Sequence, residues 1–96
     1  MFWKRKVTLE RLLRKHFPGC VIQQDKMNHS SYVVMANWTD AIRFIFPEHR
    51  NESISYIPYF SHAKTEEQAW PLWRREAAVK IARGAWEEYC TYYGIK

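Results

Sequence analysis

This sequence has little glycine, proline or cysteine: three, four and two residues respectively in 96. With no repeated segment either, that excludes collagen-like and low-complexity classes. Cys20 and Cys90 sit near opposite ends, too few for a disulfide scaffold, and read as reduced, partly buried thiols. Long apolar runs are missing as well. The longest, such as residues 32–36 and 44–46, fall far short of the roughly 20 needed to span a membrane. The opening MFWKRKVTLERLLRKHF has a charge cluster but no apolar stretch behind it, so it is not read as an export signal. Asn28, Asn37 and Asn51, each in an Asn-x-Ser/Thr triplet, then read as polar turn residues rather than glycan acceptors.

Enzyme signatures are lacking too. His16, His29, His49 and His62 are scattered, none at metal-site spacing with a Cys or another His. There is no Gly-rich phosphate loop and no Gly-x-Ser-x-Gly elbow. No catalytic residue, metal or cofactor is therefore expected.

What the chain does contain is apolar and aromatic material: 47% hydrophobic and 17% aromatic residues. That predicts a single folded domain over residues 1–96, with a small core built largely of rings. A formal charge of +5 and a pI of about 9.4 favour acidic partners, either nucleic acid or a negatively charged protein surface.

Residues 1–7 form a basic arm whose Phe2, Trp3 and three cations would also suit an anionic membrane surface. Six residues make a weak anchor, so the arm is read as partner-contacting. Thr8 is a good N-cap for a helix over 8–17, with Leu9, Leu12, Leu13 and Phe17 on one face and Pro18-Gly19 ending it. Strands are expected across 20–60: CVIQQ, YVVMAN, AIRFIF and ISYIPYF, separated by DKMNHSS, the Trp38-Thr39-Asp40 break and PEHRNES. Pro58 pushes the last strand to a sheet edge. Residues 39–46 have an alternative reading as a helix capped by Thr39. From residue 65 the pattern turns helical up to 93, with a break near Pro71, which suits the first position of a long helix. Trp73, Ala77, Ile81, Ala85 and Tyr89 recur every four residues as its expected core stripe. Gly84 marks close backbone packing or a mild bend. The fold class is α+β in the order α–β–β–β(–β)–α: an antiparallel meander packed by a short N-terminal and a long C-terminal helix.

The last helix holds more rings than one face can bury. With Trp73 and Tyr89 inside, the residues expected at a protein-docking surface are Trp70, Pro71, Arg74, Arg75, Arg83 and Trp86, joined by Trp3, Lys4 and Arg5 of the arm. Trp, Tyr and Arg are the types enriched at interface hot spots. On this reading Trp73→Ala unfolds the protein, and Arg74→Glu with Arg75→Glu leaves the fold intact but weakens binding. The alternative is a small nucleic-acid-binding protein, with rings taking bases and Arg or Lys taking phosphates. The element order superficially resembles a double-stranded-RNA-binding domain. However, TEEQAWPLW is acidic and apolar where that family places a Lys-rich cluster. Trp70-Pro71 is further expected to isomerise slowly during refolding, and an exposed Trp-Pro segment would suit a host prolyl isomerase as a second partner.

In size, in the MFWKRKVTLERLLRKHFPG opening and in the Trp-rich AWPLWRREAAVKIARGAWEEYCTYYGIK ending, the chain resembles the small accessory proteins that temperate phages make against the host RecBCD nuclease. It is most similar to the anti-RecBCD kind that modulates the enzyme rather than mimicking DNA; a mimic would be acidic. The resemblance implies a protein without enzymatic activity that binds the RecC subunit in the host cytoplasm. There it would alter the response to Chi and nuclease behaviour, protecting phage DNA ends and favouring recombination. It supplies no catalytic residue and assigns no contact.

Overall fold

The computed structural model describes residues 6–36, 40–59 and 64–96, so Trp3, Lys4 and Arg5 of the expected docking set lie outside the described residues. The element order is α1 (Leu9–His16), β1 (Val21–Gln24), β2 (Ser31–Met35), β3 (Ala41–Ile45), β4 (Ser55–Tyr59), α2 (Glu66–Ala69) and α3 (Leu72–Tyr93). This is the expected α+β arrangement, with the optional fourth strand formed.

Helix α1 starts where a threonine can satisfy an orphan amide: Thr8 Oγ1 accepts from Arg11 N at 3.2 Å. Its apolar stripe, Leu9, Leu12 and Leu13, is buried. Gly19 at φ +80 then turns the chain into β1, a conformation that costs glycine nothing.

The four strands form one antiparallel sheet in the order β1-β2-β3-β4, each pairing with its sequence neighbour. Residues 41–45 are strand, so the alternative helix over 39–46 is not adopted. Ile42 and Phe44 alternate with Arg43, and only a period of two puts both apolar residues on one face. Register aligns Tyr32, Phe44 and Tyr56 across one row and Val34, Ile42 and Pro58 across the next, all toward the core. Phe46 N bonds Ser30 O, and Ala36 N bonds Asp40 O. The even-numbered residues of β3 therefore bond β2 and the odd-numbered ones bond β4. By the same alternation the nitrogens of Tyr56 and Pro58 face away from the sheet, so the proline costs no ladder bond at this edge.

Between the sheet and the helices lies a file of rings. Phe17 stacks on Phe44 at 6.0 Å, Phe44 leads to Phe46 at 6.3 Å, and Phe46 to Trp86 at 5.5 Å. Trp86 stacks on Tyr89 at 5.7 Å. Such offset and edge contacts add to what area burial alone gives. Cys20 and Cys90 are both free; Cys90 is fully buried, and burial pushes both thiols up, away from the reactive thiolate.

Helix α3 corrects the expected phase. Its buried residues are Ala78, Ala82, Ala85, Trp86 and Cys90, whereas Trp73 points to solvent. The core side is thus 78–82–86–90 with Ala85; of the predicted stripe Ala85 is buried and Tyr89 packs against the core, whereas Trp73, Ala77 and Ile81 are exposed. The reason is space: α1 lies close against this helix and small side chains let it approach, while Trp86 reaches toward the sheet. Gly84 belongs to the same contact, for a Cβ there would lie 3.4 Å from His16 Nδ1. Pro71 is the N-cap residue rather than the first helical one, and α2, capped by Thr65, precedes it. Every described peptide bond is trans.

Lys15 and His16 at the end of α1 both reach Glu88 on α3, at 3.0 and 3.1 Å. The Lys15 bond, then the His16 bond, hold the Glu88 carboxyl below its ordinary range. A carboxyl with a lowered folded-state pKa contributes stability above its unfolded value, about 4.3 for Glu, which is lost as pH falls through the folded value. We therefore expect the stability difference between wild type and Glu88→Gln to be present at pH 5 and to shrink below about pH 4. Urea unfolding across that range measures it; a difference unchanged at pH 3 would show that Glu88 plays no part in fastening α1.

Candidate docking surface

Six of the predicted docking residues are described, and they fall into two groups. Trp70, Pro71, Arg74 and Arg75 gather at the junction of α2 and α3. Arg83 and Trp86 lie further along α3, beside the turn that follows β3.

The second group is internal architecture. Trp86 is 4% exposed and donates its indole N–H to the Arg50 carbonyl at 3.2 Å. Arg83 donates to the same carbonyl at 2.8 Å and to Glu52 O at 2.7 Å. Arg50 returns the contact through Glu87 at 2.6 Å and Thr91 at 2.9 Å. The expectation of a surface Trp86 is thereby overturned, and Arg83 is spent on clasping the 50–52 turn to the helix. Nothing local in the sequence pairs Arg50 with residues more than thirty positions away.

At the junction Trp70 is also buried, 6% exposed, with its indole N–H donating to Tyr59 O at 3.2 Å. The surface placement of Trp70, and with it the exposed Trp-Pro segment, is corrected: the ring is tied to the edge strand β4. Arg75 pairs with Glu66 of α2, its side chain mostly covered and its Nε without a partner. Arg74 pairs with Asp40 at 3.0 Å and lies over two rings, Trp70 at 5.9 Å and Trp73 at 5.4 Å.

That leaves the residues sequence reasoning placed elsewhere. Trp73 is 66% exposed and Leu72 58%, with Ile81 two turns further along. Trp73, Ala77 and Ile81 form the row assigned to the core from their period; all three are exposed on the outer side of α3. Helix α3 is therefore apolar on two sides, one covered by its own domain and one not. A second apolar surface is the sheet face away from the helices, where Val21, Ile57 and Tyr59 are exposed. Its centre is polar: Arg43 bonds Asp25 at 2.9 Å, Ser31 at 2.7 Å and Tyr59 OH at 2.7 Å.

Among the described residues no group of three His, Cys, Asp or Glu could hold a metal ion, and no helix is long and apolar enough to cross a membrane. The chemistry available on α3 is that of a contact surface: a large exposed ring, flanking aliphatics and a guanidinium over the ring. Compared with known proteins, the chain matches no family model, no curated protein and no solved structure.

Proposed function

We propose that this chain is a non-enzymatic docking protein that engages a large protein partner through the outer side of α3. One observation carries the reading: Trp73 and Leu72 stand open at the start of a helix whose other side is fully committed to the core. A tryptophan two-thirds exposed is costly to leave in water and is the residue type whose burial dominates interface energetics. Arg74, stacked over that ring and held by Asp40, enters the interface already positioned.

The partner the phage anti-RecBCD resemblance implies is the RecC subunit of host RecBCD. On that reading the chain acts in the host cytoplasm, changes how the enzyme responds to Chi, restrains its nuclease behaviour and so protects phage DNA ends for recombination. The test is capture of partners by the intact tagged protein from bacterial lysate, read by mass spectrometry, with wild type and Trp73→Ala side by side. RecBCD subunits should be retained by wild type and reduced at least tenfold by Trp73→Ala. Equal capture by both would remove α3 from the interface; no RecBCD with wild type would remove the named partner.

A further inference from the structure

The charge of this protein is concentrated at one end. Residues 1–16 contain six of the fifteen cations and one of the ten carboxylates, so they carry the whole net charge of +5, and the remaining eighty residues are neutral. Helix α1 turns every apolar side chain inward and presents Arg11, Arg14 and Lys15 to solvent, with Lys6 exposed just ahead of it.

Little inside the protein neutralises this face. Among the described residues Lys6 and Arg11 have no carboxylate partner, and the Arg11 guanidinium bonds only the Lys6 carbonyl at 3.4 Å. Arg14 has an open i,i+4 pair with Glu10 at 3.5 Å, of the exposed kind that gives way readily. Only Lys15 is firmly engaged, by Glu88.

We infer that the outer face of α1 is a contact surface for the phosphate backbone of double-stranded nucleic acid, with Lys6, Arg11 and Arg14 as its cations. The face holds cations and no apolar anchor, whereas a protein interface has an apolar or aromatic centre with charge at its rim. A row of phosphates asks for charge alone. The dimensions agree: eight helical residues span about 12 Å, the length over which duplex DNA presents roughly seven phosphate charges. This surface is separate from Trp73, so contact with nucleic acid and docking on a protein do not compete for residues.

The test is fluorescence anisotropy of a labelled DNA duplex with the full chain, titrated at 50 and 200 mM salt. Three neutralised phosphates predict a loss of affinity of about 40-fold between those conditions. Arg11→Gln with Arg14→Gln should bind more weakly at 50 mM and lose only about 3- to 4-fold over the same interval. Trp73→Ala should bind DNA as wild type does, so failure of the docking reading leaves this result untouched. No binding at 50 mM salt, a salt-insensitive signal, or an unchanged salt dependence in the double variant would each overturn the inference. So would polyglutamate competing as well as unlabelled duplex at equal charge, which would reassign the face to acidic proteins. Should the double variant lose its circular dichroism spectrum, Arg11→Gln alone gives the same comparison with half the change in salt dependence.

Discussion

Trp86→Ala is expected to cost about 3–5 kcal/mol of stability, and Trp73→Ala about 1 kcal/mol or less. Trp86 joins Phe46 on the sheet to Tyr89 on its own helix, and its N–H closes the bond to Arg50. Truncation empties a ring-sized volume at the centre of the core and releases the 50–52 turn in one step. Trp73 is two-thirds exposed, with the Arg74 guanidinium over its ring. In a domain of this size each kcal/mol moves the melting temperature by about 4–8 °C. The two variants should therefore separate widely in a thermal scan, and urea titrations give the free energies. Equal destabilisation by both would mean that Trp73 is packed in solution.

Arg75→Glu is expected to destabilise the domain by about 2–3 kcal/mol, between the small effect of an exposed ion pair and the large one of a buried pair. This departs from the expectation that reversing Arg74 and Arg75 together leaves folding intact. Reversal at 75 sets a carboxylate against Glu66, in a site where the arginine is mostly covered, and reversal at 74 does the same against Asp40. The pair Arg75→Glu with Glu66→Arg should recover at least half of the loss, as a double-mutant cycle by urea unfolding will report. No recovery would place the cost in packing of the arginine stem instead of in charge. A cleaner probe of docking is Trp73, because it leaves both ion pairs in place.

Much of the fold was legible because local chemistry and global need agree. Thr8 caps α1, Pro58 selects an edge, and the alternation through Ile42 and Phe44 lies on the strand that the register requires. Helix α3 was legible as a helix but not in its facing. It carries two adjacent apolar rows of equal period, 73–77–81–85–89 and 78–82–86–90, and periodicity cannot choose between them. The closeness of α1 selected the small residues of the second. The cue was present in Ala78, Ala82 and Gly84, which are of little use on a solvent face. Arg83 and Trp86 were misplaced for another reason. Their partner, Arg50, lies across a long separation in sequence, and residue type alone does not distinguish an arginine that binds another protein from one that braces its own turn.

The meander has a consequence for the order in which the chain matures. Every strand pairs with the one made just before it, so the sheet closes through short loops and can assemble as soon as β4 exists. Part of its cover comes from the far end: Lys15 and His16 wait for Glu88, more than seventy residues later. At a synthesis rate of about 5–20 residues per second, roughly three dozen residues after β4 take about 2–7 s to appear. During that interval Ile42, Phe44 and Phe46 line a sheet that α1 alone can cover, and the nascent protein is at its stickiest just before the helix that completes it is made.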